Sequence, residues 1–376
     1  MGGESVDIRN STASNSPFAL TCRVPLIAWF ASRLIGCIGL VVWPTSSGRW
    51  FNTFGLTYMD GGWYRIIVTS GFPDGPLPDH ATSWPFFPLY PWIADMFVRL
   101  GAPVGPSLIA ISWLLSLVAI LGVWHLASEH FGREVAVASV WVFALLPGAV
   151  GQVLSYSDSL FAAGLVWTLV SIDRILARVR AGLDVPTSRF VAVGLCALAS
   201  VASRPNGGLI LVVLGFVVWR HAGLRRTLPL LVAPSVIFLT AWMIYCHSKT
   251  GDALVFLTAK DAWLERTIVD FVRHPHERPA NLLHVAVFVV AATLARKSIT
   301  RVPAHWSITC LVFLGPSMIL GIEGLARYVT ITVPVSIMVG FTISQWGAPR
   351  RNLFLGVSAA AMLFLAVNVV RSAWVP

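Results

Sequence analysis

Charged side chains are scarce in this sequence. Asp, Glu, Lys and Arg make up 12% of its 376 residues, whereas 56% are hydrophobic and the mean hydropathy is +0.75. A soluble chain carries roughly twice that charged fraction. Apolar runs of about 20 residues recur along the chain, and each is long enough to cross a bilayer as a helix. The composition excludes an ordinary soluble enzyme and predicts an all-α, polytopic membrane protein.

Cysteines and cofactor motifs are also scarce. The five cysteines are scattered along the chain: Cys22, Cys37, Cys196, Cys246 and Cys310. Their positions match neither a disulfide framework nor a metal site. The chain has no glycine-rich GxGxxG or P-loop motif, so a nucleotide-linked sugar has no predicted binding site. We therefore expect neither a metal nor a cofactor.

Eleven apolar segments are predicted to span the membrane, within a range of nine to twelve. They are 24–43, 106–126, 134–152, 157–174, 189–203, 207–219, 228–246, 281–295, 304–321, 326–345 and 352–371. We expect residues 1–23 to form a disordered cytoplasmic tail and residues 24–376 to form a single membrane domain. Within that domain, 44–105 and 247–280 are predicted to be long external loops.

Basic and acidic residues alternate from loop to loop. With the N-terminus inside, the inner loops and span ends carry Arg133, Arg174, Arg178, Arg180, Arg189, Arg220, Arg225, Arg226, Arg296, Lys297, Arg301, Arg350 and Arg351. The other loops carry most of the carboxylates. Because short basic loops stay in the cytoplasm, we predict a cytoplasmic N-terminus and an external C-terminus. The formal net charge of +10 then reflects topology and not nucleic-acid binding, and the excess of arginine over lysine favours a bacterial plasma membrane.

The first external loop contains Tyr58-Met59-Asp60-Gly61-Gly62-Trp63-Tyr64. A carboxylate at a membrane face is suited to act as a base that meets a lipid-borne substrate. The aromatic side chains of Trp63 and Tyr64 favour the headgroup level of the bilayer. Asp60 is alternatively the N-cap of a helix lying in the interface. Further along, the prolines of segment 84–92, which includes Tyr90, predict a rigid re-entrant turn instead of a regular helix.

Two charged residues stand at the mouths of later spans. Asp158 either caps the span that follows it or binds sugar hydroxyls. Arg204 precedes Pro205 and Asn206 in a turn between two apolar runs of 13 residues, 190–202 and 207–219, which are too short to cross the hydrocarbon core. We therefore expect a sunken turn, where Arg204 either binds a phosphate or forms a buried pair with Asp158 or Glu323.

Two further polar clusters fall on the external side. After Asp252, the side chains of Phe256, Lys260 and Trp263 are spaced i, i+4, i+7, which predicts one helix face that carries all three. An ordinary interfacial helix would show the same spacing. In the last cluster, Arg327 precedes Tyr328 at the mouth of a late span. Arg327 is either a second phosphate ligand or an arginine that snorkels to the interface.

At these residues the sequence resembles the PIG-V family of mannosyltransferases, which belong to the GT-C class of membrane glycosyltransferases. The family pattern Trp-Asp-x-x-Trp-Tyr is similar to residues 59–64, and Phe-Phe-Pro-Leu-Tyr-Pro is similar to residues 86–91. Further motifs match at 156–161, 204–207, 251–263 and 327–328. The sequence departs from the family at Met59, Asp158 and Pro205, where an aromatic residue, Glu and Ser are usual. The resemblance implies a GT-C-like fold, an external active site and an inverting reaction with a polyprenyl- or dolichyl-phosphate mannose donor.

The clusters and the resemblance together predict transfer of a mannose, or another hexose, from a polyprenyl-phosphate donor to a lipid, glycan or protein acceptor. Asp60 is the predicted general base, and Arg204, Arg327 and Lys260 are predicted to bind the donor phosphate. The predicted sugar and acceptor residues are Trp63, Tyr64, Tyr90, Asp158, Asn206, Asp252, Trp263 and Tyr328. A transporter or lipid flippase, or a transferase of another lipid-phosphate sugar such as arabinose, are the alternatives.

Overall fold

The computed structural model describes residues 22–42, 56–263, 273, 279–322 and 324–370, and all regular secondary structure within these ranges is helical. The α-helices, numbered in chain order, are α1 Arg23–Cys37, α2 Asp60–Ser70, α3 Leu89–Arg99, α4 Val104–Phe131, α5 Arg133–Leu145, α6 Asp158–Arg180, α7 Thr187–Val201, α8 Ile210–Arg220, α9 Leu228–Thr250, α10 Val255–Thr258, α11 Pro279–Arg296, α12 Ala304–Leu320, α13 Leu325–Ile331, α14 Val333–Ser344 and α15 Ala348–Val370. A π-helical turn, Ile38–Val42, extends α1. Short 3-10 helices occupy Pro147–Gln152, Pro205–Leu209, Ala222–Thr227 and Ala259–Trp263.

Each of the eleven predicted spans coincides with one helix or with two consecutive helices. By length and composition, five helical stretches of the described ranges can cross a bilayer: Arg23–Val41, Val104–Phe131, Asp158–Arg180, Ala222–Thr250 and Ala348–Val369. The bent pair formed by α13 and α14 would make six. The protein is thus a multi-pass membrane protein with an all-helical architecture, and the count of eleven crossings stays a prediction.

The predicted span 326–345 is not one straight helix. α13 and α14 meet at Thr332 with a bend of 79°. Pro334 lies in the first turn of α14, and a proline there has no N–H to donate to the preceding turn and restricts the residue before it. The threonine hydroxyl donates to the Tyr328 carbonyl oxygen at 2.7 Å. The chain therefore bends sharply at this point, and Arg327 lies on the short helix α13, which is separate from α14.

The structure also corrects two predictions about the external loops. The proline-rich segment 84–92 is irregular only to Pro88, because α3 begins at Leu89. Pro91 lies in the first helical turn, where a missing N–H costs no hydrogen bond. Phe256, Lys260 and Trp263 do not share one α-helical face, since α10 ends at Thr258 and a 3-10 helix follows.

The core of the protein is built around α6, which packs between α4 and α7, while α5 packs against α4 and α14. The α6 side chains Leu165, Val166 and Leu169 are fully buried. Near the opposite end of this helix from Asp158, the Asp173 carboxylate lies 2.9 Å from both His130 and His305. Since these histidines belong to α4 and α12, Asp173 links three helices.

A second, mainly aromatic cluster fastens α2 and α3 to the rest of the molecule. Tyr64 of α2 meets Tyr90 of α3 with ring centroids 4.8 Å apart. Phe72 lies 5.0 Å from Trp84 and 5.0 Å from Trp242 of α9. Such aromatic pairs contribute about 0.5–1.5 kcal/mol each beyond the area that they bury. The cluster therefore holds α2, and with it Asp60, against the neighbouring helices.

Candidate active site

Asp60 is the first residue of α2 and follows a tight turn. Met59, just before it, has a φ of 54° and a ψ of −121°. The N–H of Gly61 donates to the Tyr58 carbonyl at 3.1 Å, and the N–H of Gly62 donates to the Met59 carbonyl at 2.8 Å. A positive φ at a methionine is a strained backbone conformation. Such strain persists only where the surrounding structure holds the chain in place.

The start of α2 is pressed against the turn that precedes α6. A Cβ atom on Gly61 would lie 2.2 Å from Ser155 Oγ, so no larger residue fits without a shift. One turn later, the Tyr64 hydroxyl donates to Ser157 Oγ at 2.7 Å. Burial raises the pKa of Tyr64 above its usual range, so the hydroxyl is a neutral donor. These contacts bring Asp60 to the turn that leads into Asp158.

Arg327 connects the two aspartates. Its Nη2 donates to Asp60 Oδ2 at 2.9 Å and to Asp158 Oδ1 at 3.1 Å, and its Nε donates to Asp158 Oδ2 at 2.9 Å. The guanidinium also lies over the Tyr156 ring, with its Cζ 4.5 Å from the ring centroid. Charge-assisted, bidentate contacts of this kind fix the orientation of both side chains and also stabilise the pair. Asp60, Asp158 and Arg327 therefore form one ionic unit.

Arg204 completes the cluster, which we call the ionic network (Asp60, Asp158, Arg204 and Arg327). Its Nη2 donates to Asp158 Oδ1, so the buried pair that the sequence left as an alternative is formed. Its Nε and Nη1 are buried and donate no hydrogen bond to any of the described residues. A buried donor without a partner costs about 1–3 kcal/mol. Arg204 thus retains two N–H groups that an anion would satisfy.

The four residues differ in their access to solvent. The side chain of Asp158 is 0% exposed, those of Arg327 and Arg204 are 9% and 11% exposed, and that of Asp60 is 21% exposed. Two arginines balance two aspartates, which is the arrangement that makes buried charges tolerable. Asp60 is thus the carboxylate of this network that a substrate reaches most easily.

Two residues near the network had no assigned role in the sequence analysis. Tyr156 stacks on Arg327, and burial raises the pKa of its hydroxyl well above the usual range. Gly151 lies beneath the ion pair, because a Cβ atom there would be 2.1 Å from Asp158 Oδ2. The signal for Tyr156 was its place two residues before Asp158, and nothing in the sequence marks Gly151.

The predicted aromatic residues divide between the core and the site. The Tyr90 hydroxyl donates to the Leu108 carbonyl at 2.7 Å, and its side chain is fully buried. Trp63 is partly buried and stacks on Phe86, with ring centroids 6.1 Å apart. The Tyr328 ring lies 5.8 Å from Arg204 Cζ. Of these three, Tyr328 is the aromatic residue next to the ionic network.

The remaining predicted residues are not joined to the ionic network by hydrogen bonds or ion pairs within the described ranges. Asp252 accepts from the Leu254 N–H at 2.8 Å and the Thr258 hydroxyl at 3.0 Å, which closes the turn after α9. Lys260 and Asn206 are partly buried in 3-10 helices. The side chain of Trp263, like Glu323, lies outside the described part of the structure. Among the described residues, no group of three or more His, Cys, Asp or Glu side chains is arranged so that it could hold a metal ion.

The fold is similar to that of GT-C membrane glycosyltransferases. ArnT from Cupriavidus metallidurans bound to undecaprenyl phosphate superposes with a TM-score of 0.56 at 15% identity, over 91% of this chain and 62% of that one. The Archaeoglobus fulgidus oligosaccharyltransferase tethered with an acceptor peptide gives a TM-score of 0.52 at 14% identity, over 93% of this chain and 55% of that one. The chain therefore spans less than two thirds of either structure, and the likeness shows the architecture alone.

One family also matches by sequence. The dolichyl-phosphate-mannose-protein mannosyltransferase family matches residues 79–245, a segment that contains Asp158 and Arg204 but neither Asp60 nor Arg327. No curated protein matches the chain. The resemblance to the PIG-V family stays a prediction.

Proposed function

We propose that this protein is a membrane glycosyltransferase that moves a hexose, with mannose as the first candidate, from a polyprenyl-phosphate donor to a lipid, glycan or protein acceptor. The observation that carries the proposal is the ionic network, in which one reachable carboxylate is held beside buried arginines. The undecaprenyl phosphate bound to ArnT supports a lipid-phosphate donor. The matching dolichyl-phosphate-mannose family and the PIG-V-like motifs support mannose.

Arg204 is the residue best placed to take the donor phosphate. Its Nε and Nη1 have no partner among the described residues, and a guanidinium is well matched to phosphate oxygens. Asp158 holds the other side of the same group. Binding of a phosphate would thus satisfy donors that are otherwise buried without a hydrogen bond.

The proposed reaction is a single displacement at the anomeric carbon. The acceptor hydroxyl oxygen attacks C1 and its proton passes to Asp60, while the bond between C1 and the phosphate oxygen breaks and its electron pair leaves with the phosphate. The configuration at C1 is inverted because attack and departure occur on opposite faces. Arg204 stabilises the negative charge that develops on the departing phosphate. No general acid is required, since the departing polyprenyl phosphate, a phosphate monoester, is already a good leaving group.

The sequence predicted that Arg327 binds the donor phosphate, but in this proposal Arg327 has a different role. Its Nε and Nη2 are both occupied by carboxylates. It binds Asp60 through Oδ2, which leaves Oδ1 for the acceptor proton. Arg327 is therefore a positioning residue for Asp60, while a contribution of Lys260 to phosphate binding stays a prediction.

The proposed orientation places the ionic network outside. Asp158 begins α6, and Arg174, Arg178 and Arg180 lie toward its other end. A helix of 23 residues is about 34 Å long, enough to separate the two faces of a bilayer. Basic helix ends favour the cytoplasm, so the network would face the exterior of a bacterial plasma membrane.

The decisive test is Asp60→Asn, which keeps the size of the side chain and removes its basicity. We expect the rate of hexose transfer from purified polyprenyl-phosphate mannose to fall by ~10²-fold or more. Asp95→Asn is the matched control, because Asp95 forms only an exposed pair with Arg99, and this variant should transfer at the normal rate. Near-full activity of Asp60→Asn would rule out the base role.

Two measurements identify the substrates. Competition between mannose-, arabinose- and aminoarabinose-charged polyprenyl phosphates separates the donor alternatives. Comparing the masses of lipid-linked glycans and glycoproteins between cells with native Asp60 and cells with Asn at that position identifies the acceptor by a missing hexose. Unchanged glycans in those cells would instead favour a transporter.

A further inference from the structure

A groove of about 820 Å³ lies between α5 and α15, two helices that do not carry the ionic network. Its walls are mainly apolar and include Trp141 and Leu145 from α5 and Leu355 and Ala359 from α15. These four side chains range from buried to half-buried. The groove therefore offers a long apolar surface that the described part of the protein leaves uncovered.

The mouth of the groove is charged. Arg133 at the start of α5 and Arg351 near the start of α15 line it, together with Glu134 and Asn352. Within the described ranges, neither arginine forms an ion pair. The mouth thus has an excess of positive charge, with both guanidinium groups available to an anion.

The dimensions of the groove match one leaflet of a bilayer. From Arg133 to Leu145, α5 rises by roughly 18 Å at about 1.5 Å per residue. Half of a hydrocarbon core of about 30 Å is a similar length. A molecule with its headgroup at the arginines would therefore reach with its chain along Trp141 to about the middle of the membrane.

This groove opens at the opposite end of α5 from the proposed active site. The far end of α5 leads into Pro147–Gln152, where Gly151 lies against Asp158 and Arg327. Arg133 is at the other end, on the side where basic residues gather at the helix ends. A ligand of this groove is consequently separate from the donor and the acceptor of the proposed reaction.

We propose that the groove binds one anionic glycerophospholipid of the cytoplasmic leaflet. Its phosphate would lie between Arg133 and Arg351, since guanidinium groups match phosphate oxygens, and an acyl chain would lie along Trp141 and Leu355. The excess positive charge selects an anionic over a zwitterionic headgroup, as in other basic pockets between membrane helices. The bound lipid would bridge α5 and α15.

The test uses the full-length protein, purified in detergent and stripped of lipid. Native mass spectrometry during titration with phosphatidylglycerol, and with phosphatidylcholine of the same acyl chains, measures retention of each lipid. We expect one phosphatidylglycerol to bind at least 10-fold more tightly than phosphatidylcholine. The double variant Arg133→Gln/Arg351→Gln should lose roughly 10- to 30-fold in affinity for phosphatidylglycerol.

Two further variants separate the groove from surface charge in general. Arg225→Gln/Arg226→Gln removes the same charge from exposed residues on the same predicted side and should bind the lipid normally. Gly356→Leu keeps every charge and puts a side chain into the groove; a Cβ atom there meets nothing within 4 Å and leucine favours the helix. This variant should weaken binding of both lipids.

Several outcomes would overturn the proposal. Equal binding of the two lipids, or equal losses in the two arginine double variants, would show only general surface attraction. Normal phosphatidylglycerol binding by Gly356→Leu would place the lipid elsewhere. Stronger lipid binding after deletion of residues 1–21 would identify that segment as the occupant, and a dimer that Gly356→Leu dissociates would identify a second copy of the chain.

Discussion

Replacing Arg327 by lysine separates the positioning of Asp60 from the binding of the donor phosphate. The lysine keeps a positive charge beside the fully buried Asp158, so that two cations still balance the two aspartates of the network. It cannot hold both carboxylates as the native Nε and Nη2 do, with Nη2 at 2.9 Å from Asp60 and 3.1 Å from Asp158. Arg327→Lys therefore removes geometry and retains charge.

The size of the effect follows from the contact that is lost. A hydrogen bond to a charged group contributes about 1.5–3 kcal/mol, so loss of the contact to Asp60 should lower kcat by roughly 10- to 150-fold. The KM for the donor should change little, because Arg327 is not the proposed phosphate ligand. Arg204→Lys should show the opposite pattern, with a donor KM raised about 10-fold or more and a smaller change in kcat.

Both constants come from initial rates measured against donor concentration at saturating acceptor. Arg99→Lys is the control, since Arg99 forms an exposed pair with Asp95, and both constants should stay at their native values. Thermal unfolding of each variant checks that the fold is intact. A donor KM that rises sharply in Arg327→Lys, with an unchanged kcat, would refute the positioning role and restore Arg327 as a phosphate ligand.

Two further predictions concern the backbone around the network. Gly151→Ala places a Cβ atom 2.1 Å from Asp158 Oδ2, so it should lower Tm and reduce transfer at least 10-fold, whereas Gly223→Ala, which meets nothing within 4 Å, should leave both measurements unchanged. Met59→Val puts a β-branched residue at a φ of 54° and should destabilise the fold by about 1–3 kcal/mol. Met59→Gly fits that backbone, and its Tm should be no more than a few degrees below that of the native protein. Equal Tm values for the two variants would contradict the inference that the backbone is strained at this turn.

The sequence predicted where the helices lie better than how they meet. Apolar runs and basic helix ends located all eleven segments, because bilayer thickness sets the length of a span. The same length rule failed to predict the bend at Thr332, because the apolar run continues through it and only Pro334 indicates the break. Pro91 was misjudged for a related reason: proline stops a helix interior but is accepted in a first turn.

The four members of the ionic network were all among the residues predicted from sequence, but of their contacts only the Arg204–Asp158 pair was named, as one of two alternatives. Charge alternation grouped Asp60, Asp158, Arg204 and Arg327 on one face, but the pairs that they form join residues 46 to 267 positions apart. No local pattern encodes such pairs, which depend on the packing of α2, α6 and α13. Asp252 shows the converse, because its carboxylate is used within six residues and a motif match alone does not reveal that.

The members of the ionic network are far apart along the chain, and this separation has a consequence for how the protein is inserted into the membrane during synthesis. Arg327 follows Asp158 by 169 residues, which at about 5–20 residues per second takes roughly 10 to 30 s. Arg204 follows by only 46 residues and emerges within about 10 s at the same rate. For most of that interval Arg204 is the only arginine of the network that has been synthesised. We therefore expect Arg204 to be the first cationic partner of the Asp158 carboxylate in the membrane. A change at Arg204 should therefore reduce the yield of inserted protein even where a later change at Arg327 affects only its activity.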